Sequence, residues 1–493
     1  MIDSCHPLTD LPAAAAIRRR GRPRRLRRRI PVAIFTAVVR AGDPLLLAAG
    51  SVLSWLSVAC WPREAQGGGD LLAALIAAWV AAVCLRLGDT YRLSRLLSRA
   101  AQFRWLAVAL LAGAGALALA DMIARVAARP PLSGVALWLA VNALLLGAVR
   151  LATVRFAARL RRDGRLARRV ALVGATDLAR AFAAELAGCG DSGIDIVGVY
   201  DDRAAAAVAE RADPPFLGDV AQLVGDAEHG MLDAVVIALP ASNAARIARL
   251  GDQLGDLVLD VFVAADIAAL PFRQLRSLGG VPVGLLAQRP LSDWQVVQKA
   301  LFDRVVAAVL LIACGPVLLL LALLVRLDSP GPALFRQRRI GFNNQPFDCL
   351  KFRTMHHHLR DALADRQATR GDPRVTRVGH WLRRLSLDEL PQLLNVLSGE
   401  MSLVGPRPHA PNTKAASRLF QDVVAGYARR HRVKPGITGW AQVNGWRGET
   451  RTEEAIEQRV LHDLDYIRHW SLARDLRILL MTAVRICTDP HAF

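Results

Sequence analysis

Two acids, Asp388 and Glu389, stand side by side in the stretch LSLDELPQLLNVLSGEMSLVGPRP (385–408), with Arg383 and Arg384 just before it and Arg407 near its end. Acids placed for solubility need no such neighbours; acids that work on a phosphate, through a metal, do. Ser386 and Glu389 have the spacing of a capping box, and Pro391 is tolerated best in a first turn, so the spacing predicts a helix opening here. A helix N-terminus favours negative charge and phosphate alike, and would keep Asp388 ionised as a nucleophile. Neighbours on a helix point about 100° apart, so the carboxylates take different tasks: one attacks while the other holds a divalent cation. Mg²⁺ binds through one or two carboxylates plus substrate phosphates, which fits Glu389. Arg383, and Arg407 in the rigid Gly405-Pro406-Arg407-Pro408, would fork onto phosphate oxygens. A plainer reading makes Ser386 and Glu389 only a cap and Asp388 a dipole-matched acid; the arginines weigh against it.

Other residues are weaker candidates. Lys351, Arg353 and Arg374 are placed to meet a phosphate or a base, with structural ion pairs as the equal alternative. Gln442 and Arg447 are candidate sugar or nucleotide contacts among the turn glycines Gly436, Gly439 and Gly445. The triplet His356-His357-His358 reads better as a solvated helix start than as a metal site. Trp440, Trp446 and Trp470 fit an interfacial belt or core packing equally well.

What must position these residues is a long, apolar, basic chain. Of 493 residues 53% are hydrophobic and the net charge is +20, which points to membrane segments and two to four units. Seven dispersed cysteines imply no disulfide framework and show no metal spacing. Apolar runs near 34–60, 70–88, 104–125 and 132–153 are each long enough to span a bilayer, at about 20 residues per span. The first loop, WPREAQGGGD, is poor in arginine, whereas Arg86, Arg92, Arg95, Arg99 and Arg104 cluster around the second, and RFAARLRRDGRLARR follows the fourth run. The positive-inside rule then predicts both ends in the cytoplasm. The basic N-terminus, 1–33, reads as part of this topology rather than as a nucleic-acid arm or a cleavable signal. Residues 34–155 are expected to form four transmembrane helices and 156–167 a basic linker.

From 168 to 285 strand-like and helix-like runs alternate, as in a Rossmann-like α/β domain. Its first turn, Gly174-Ala175-Thr176-Asp177-Leu178-Ala179, has Thr176 and Ala179 where a dinucleotide fingerprint wants glycine, so a structural or regulatory role is expected ahead of nucleotide binding. The missing YxxxK weakens a dehydratase or epimerase reading. After a linker at 286–298, the run 303–326 is long enough to span, but Gly315 and Pro316 interrupt it and both flanks are basic. A re-entrant helix that enters and leaves on one face satisfies both facts.

Residues 299–493 resemble the bacterial sugar transferase family, the monotopic polyprenyl-phosphate phosphoglycosyl transferases, in DSPGPALFRQRRIG, LKFRTM, DPRVTRVGHWLRRLSLDELPQLLNVLSGEMSLVGPRP, KPGITGWAQVNGWRGET and DLDYIRHWSLARDLRIL. Together with the four spans and the Rossmann-like unit, the chain is similar to long members that begin exopolysaccharide assembly. The resemblance implies three parts: an α-helical four-span bundle, a cytosolic Rossmann-like domain, and a mainly helical catalytic domain seated by the re-entrant helix. It implies transfer of hexose 1-phosphate, glucose ahead of galactose, from a UDP-sugar to undecaprenyl phosphate with release of UMP. Asp388 would form a covalent phosphosugar–aspartate, Glu389 would hold Mg²⁺, and Arg383 and Arg407 would bind phosphates. Asp303-Arg304 and Gly315-Pro316 would be the entry and the break of the re-entrant helix. The implied setting is the bacterial inner membrane, with a homo-oligomer and other polysaccharide-assembly proteins as further partners and no nucleic acid. The rival without catalysis is a scaffold that keeps a dead transferase fold.

Overall fold

The computed structural model describes residues 30–59, 70–91, 93–124, 132–189, 193–203, 214–264, 274–356, 372–410, 414–415, 418–424, 426–446 and 452–488. Arg447, His357, His358 and the basic stretch 18–29 lie outside them. Two compact units result: one gathers the chain up to Arg169 with 183–196 and 277–281, the other the remainder.

Four apolar helices open the chain: α1 (Val32–Ala59), α2 (Asp70–Leu87), α3 (Arg99–Ala124) and α4 (Leu132–Arg162). By length and composition α1, α3 and α4 are able to cross a membrane, while the apolar part of α2, Leu71–Leu87, is shorter. Small residues let backbones approach, as in membrane bundles generally. A Cβ on Gly113 would lie 2.9 Å from the Ala77 carbonyl oxygen, within an alanine-rich core that Leu47, Leu106 and Trp138 complete. Several polar groups inside the bundle pair with one another, which offsets their desolvation. Arg150 donates to Asp43 and to Gln102, and the Tyr91 hydroxyl donates to Asp43 at 2.7 Å. Helix α4 continues to Arg162, so much of the expected linker at 156–167 is helix.

The α/β region runs β1 (Arg168–Val173), α5 (Asp177–Gly188), β2 (Ile194–Tyr200), β3 (Phe216–Gly218), α6 (Val220–Glu228), β4 (Ala234–Ile237), α7 (Ala244–Gly255), β5 (Asp260–Val263), β6 (Gln274–Leu278) and β7 (Val281–Ala287). The strand order is β3-β2-β1-β4-β5-β7-β6. β1 pairs parallel with β4, β4 with β5 and β2 with β3, while β7 runs antiparallel to β5. β4 and β5 are buried along their whole length, as parallel strands covered on both faces must be. The β6–β7 hairpin was not foreseen: its residues carry no clear alternation to announce it.

Helix α8 (Asp293–Asp328) opens on a full capping box from Ser292 and Gln295, so the linker expected at 286–298 shrinks to the few residues after β7. The helix runs on through Gly315 and Pro316 without interruption. Both its halves rest on the same unit. Phe302, Val306, Ala307 and Leu311 pack with Leu393, Val404 and Ile478; Leu318, Leu321, Ala322 and Val325 pack with Ala333, Phe352 and Leu382. The opposite side, including Val309, Ile312, Leu319 and Leu323, is exposed and apolar.

A hairpin of β8 (Leu334–Ile340) and β9 (Pro346–Phe352) follows, then α9 (Arg377–Arg384), α10 (Gln392–Ser398), β10 (Ser402–Val404), its parallel partner β11 (Gly436–Thr438), α11 (Glu453–Arg468) and α12 (Leu472–Thr488).

Candidate active site

Three backbone junctions build the site. The first is α9 against the end of β9. Thr376 caps α9 by accepting from the Gly379 N–H at 3.0 Å, and a Cβ at Gly379 would lie 2.2 Å from the Thr354 carbonyl oxygen. Only glycine allows that approach, and one turn later Arg383 Nε donates to Thr354 Oγ1 at 2.8 Å. The second is Asn395, which accepts from the Leu350 N–H at 2.9 Å and donates to the Asp348 carbonyl at 2.8 Å. It fixes α10 to β9, and with it the height of Lys351. The third is a stack of glycines. A Cβ on Gly436 would meet the Gly405 nitrogen at 2.1 Å, and one on Gly439 the Gly405 carbonyl oxygen at 2.3 Å. That packing aims Pro406-Arg407 at the acids.

Asp388 and Glu389 sit on a short 3₁₀ turn, Leu387–Glu389, ahead of α10. The expected capping box does not form. Ser386 takes left-handed backbone angles (φ 56°, ψ 20°) and makes no side-chain cap, because the Glu389 carboxylate is engaged elsewhere. Glu389 Oε1 accepts from Lys351 Nζ at 2.8 Å and from Arg407 Nη2 at 2.6 Å, and Oε2 accepts from Arg407 Nη1 at 3.1 Å. Against the cost of burial, these cations hold its carboxyl well below the usual range. Asp388 is half-buried and makes no hydrogen bond or ion pair among the described residues. Its carboxyl is pushed up by burial and by Glu389, against the fields of Lys351, Arg383 and Arg407. The helix-end argument for a depressed Asp388 is therefore corrected: no α-helix starts at this residue, and its neighbour takes the direct cation contacts.

The other expected residues divide. Lys351, Arg407 and Arg383 converge on the acid pair. Arg353 does not: it is buried and donates to the carbonyls of Val325, Ser329 and Pro330, capping α8. A guanidinium spent on carbonyls at and just past a helix end is structural. Arg374 forks onto Asp372, near enough to Arg383 for its charge to be felt there. Gln442 is buried, its Oε1 without a partner among the described residues. Asp303 accepts from the Leu403 N–H at 3.2 Å, holding α8 to β10, and Arg304 lies over Gly399 at the end of α10. Trp470 is core, beneath Lys299, rather than belt. His356 lies beside an isolated bridge of Met355 with Val375, and the rest of the expected helix start, from His357, lies outside the described residues.

Sequence reasoning missed Arg339. Its guanidinium is held by Gln337 and the Pro408 carbonyl and feels Arg407, Glu389 and Asp388. The strand alternation that turns Phe335, Gln337 and Arg339 inward and Arg336 and Arg338 outward was the available signal. His409 and the Arg430–Asp463 pair behind Arg407 carried no signal, since their partners lie far away in sequence.

Residues 294–489 match the family described as bacterial sugar transferase, and 86–265 that described as CoA-binding domain. An undecaprenyl-phosphate glucose phosphotransferase of Komagataeibacter xylinus is 42% identical over 332 residues, 67% of this chain and 61% of the relative. A UDP-glucose:undecaprenyl-phosphate glucose-1-phosphate transferase of Escherichia coli is 44% identical over 303 residues, 61% of this chain and 64% of that one. One with the same name from Xanthomonas campestris is 39% identical over 364 residues, 73% of this chain and 75% of its own length. The chain belongs to the bacterial sugar transferase family. It matches a little under two thirds of the length of the first two of these relatives. Within this family member, the acid pair, Lys351 and the three converging arginines all fall in the sugar transferase segment.

Among the described residues, the first turn of the CoA-binding segment makes internal hydrogen bonds. The Ala175 N–H of its first turn donates to Asp201 at 2.8 Å, and Arg203 clamps the same carboxylate. Thr176 donates to the Ala238 carbonyl at 2.7 Å while capping Ala179. One backbone donor of that turn and the acid at the end of β2 are thus engaged with each other.

Proposed function

We propose that the protein transfers hexose 1-phosphate, with glucose as the hexose, from a UDP-sugar to undecaprenyl phosphate on the cytoplasmic face of a bacterial inner membrane. The observation that carries this is the division between two adjacent acids: Glu389 clamped by Lys351 and Arg407, Asp388 unpartnered beside it. In this reading an Asp388 carboxylate oxygen attacks the β-phosphorus, the bond to the bridging oxygen breaks, and UMP leaves with the electron pair. A phosphate oxygen of the lipid then attacks the same phosphorus and releases the aspartate, which splits one phosphoryl transfer into two. Arg383, Arg407 and Lys351 offset the charge that gathers as both phosphates arrive. Glu389 suits Mg²⁺, since it is ionised and its Oε2 accepts a single hydrogen bond, while an ion of this kind takes its other ligands from phosphate and water. Such an ion would neutralise the diphosphate and polarise the bond that breaks.

The membrane seat supports the same reading. Trp381, Leu385 and Leu394, on the elements that flank the acids, are exposed and apolar, as is one side of α8. Both halves of the 36-residue α8 rest on one unit, which supports a reading in which its two ends stay on the same face of the bilayer.

The test is the full chain in nanodiscs with UDP-glucose, undecaprenyl phosphate and Mg²⁺, beside Asp388→Asn. UMP release that vanishes in the variant is expected. UDP as the product would sink the mechanism, and a faster turnover of UDP-galactose would sink the choice of sugar.

A further inference from the structure

Arg407 places its guanidinium only as well as its backbone is held, and the loop that carries it is short of donors of its own. Pro406 and Pro408 on either side have no N–H and a fixed φ, so this stretch is secured through its carbonyls. The Gly436 N–H donates to the Pro406 carbonyl at 3.0 Å, and the Ile340 N–H to that of His409 at 3.1 Å. The two carbonyls between are met by side chains: Pro408 by Arg339, and Arg407 itself by Arg430 Nη2 at 2.8 Å. We propose that Arg430, held by Asp463, is a positioning residue for the phosphoryl transfer, setting the backbone of Arg407 without touching substrate. This deepens the reading of Arg407 as a phosphate ligand and rests on it.

The first argument is how completely Arg430 is engaged. Its Nε and Nη2 donate to Asp463 Oδ2 at 3.1 and 2.6 Å. Its Nη1 lies 2.8 Å from the Tyr427 hydroxyl and 2.6 Å from His409 Nδ1. With the Arg407 carbonyl, these contacts match the five N–H donors that a guanidinium carries. One rigid fork therefore joins α11, the 3₁₀ segment Tyr427–Arg432 and both Arg407 and His409.

The second argument is energetic. Arg430 and Asp463 are 1% and 2% exposed. A buried ion pair adds little stability over apolar residues of similar volume, so packing alone does not call for a charged pair in this place. The third concerns the other end of Arg407. Its Nη1 and Nη2 are forked onto Glu389 before substrate arrives. In the proposed reaction both groups turn to phosphate and metal, and that fork loosens. The backbone contacts are then what keeps Arg407 in register, and a misplacement of about 1 Å costs up to about a hundredfold in rate.

The test is a double-mutant cycle on UMP release by the nanodisc-held full chain with UDP-glucose, undecaprenyl phosphate and Mg²⁺. Arg430→Lys keeps a cation for Asp463, but one ammonium does not reproduce the planar fork that also reaches the Arg407 carbonyl. It is expected to lower kcat about tenfold or more, with a melting temperature close to wild type. The partner is Arg407→Lys, which retains a charge and so a measurable rate. In that background Arg430→Lys is expected to cost less than about twofold, because the place of the guanidinium no longer counts. Tyr427→Phe removes a single anchor and keeps the ion pair, so it serves if Arg430→Lys fails to fold; its severalfold loss should likewise vanish behind Arg407→Lys. Wild-type kcat in a folded variant, losses that multiply with that of Arg407→Lys, or an Arg407→Lys chain as active as wild type would overturn the positioning role. A wild-type chain that releases no UMP would instead overturn the reading on which it rests.

Discussion

Glu389 governs the site through its charge, and that can be measured apart from turnover. Replacing it by Gln leaves Lys351 and Arg407 facing a neutral amide in a buried place; removing one partner of such a pair costs about 3–5 kcal/mol. Chemical denaturation should show that loss at neutral pH. The sign follows from the depressed carboxyl: its stabilisation is present above the unfolded value of about 4.3 and disappears as pH falls through the lower folded one. The variant's deficit should therefore shrink in acid. Asp388 behaves oppositely. Its carboxyl is raised above 3.8, and in the proposed mechanism the attacking form is the anion, so turnover should fall with acid at a pH above the ordinary aspartate range. Part of that rise comes from Glu389, so the acid limb of the residual Glu389→Gln activity should move to lower pH. A limb that stays in place would show that Asp388 is not the titrating group. Which of two adjacent acids is clamped was not legible in the chain, because Lys351 and Arg407 reach Glu389 across 38 and 18 residues.

At the scale of elements, the site depends on how closely α9 can approach β9. Gly379→Ala would set a methyl against the Thr354 carbonyl, and overpacking of this kind costs about 1–3 kcal/mol. The helix must back away and break the Arg383–Thr354 hydrogen bond. Reduced UMP release with a lowered melting temperature is expected; full activity would show that Arg383 does not need its place. The helix expected to open near Ser386 starts as a 3₁₀ turn at Leu387 and becomes α-helical only at Gln392, without the capping box. A capping-box spacing records only what the glutamate is able to do, and Glu389 had stronger partners. Arg353 misled for a related reason: KFRTM shows a basic residue near the site but not that α8 ends beside it with unpaired carbonyls.

For the whole molecule, the path of α8 decides how the catalytic unit meets lipid. Single cysteines at Trp294 and Leu327, both exposed and near opposite ends of the helix, should escape a membrane-impermeant thiol reagent added outside spheroplasts and react once the cells are opened. Labelling of either from outside would make α8 a span. At about 1.5 Å per residue the helix measures about 54 Å, more than a bilayer core needs, so its length alone does not choose between the two paths.

The sequence by itself determined where the apolar helices lie, the strand and helix rhythm from β1 to β5, and the motif blocks that place the chain in its family, because periodicity, composition and spacing are local properties. Tertiary structure decided the rest. It clamped Glu389 rather than Asp388, spent Arg353 on a helix end and Asp201 on its own turn, and added Arg339 to the surroundings of the acids. In each case the deciding partner lies many residues away, and burial makes an unsatisfied charge or carbonyl costly enough to fix who pairs with whom.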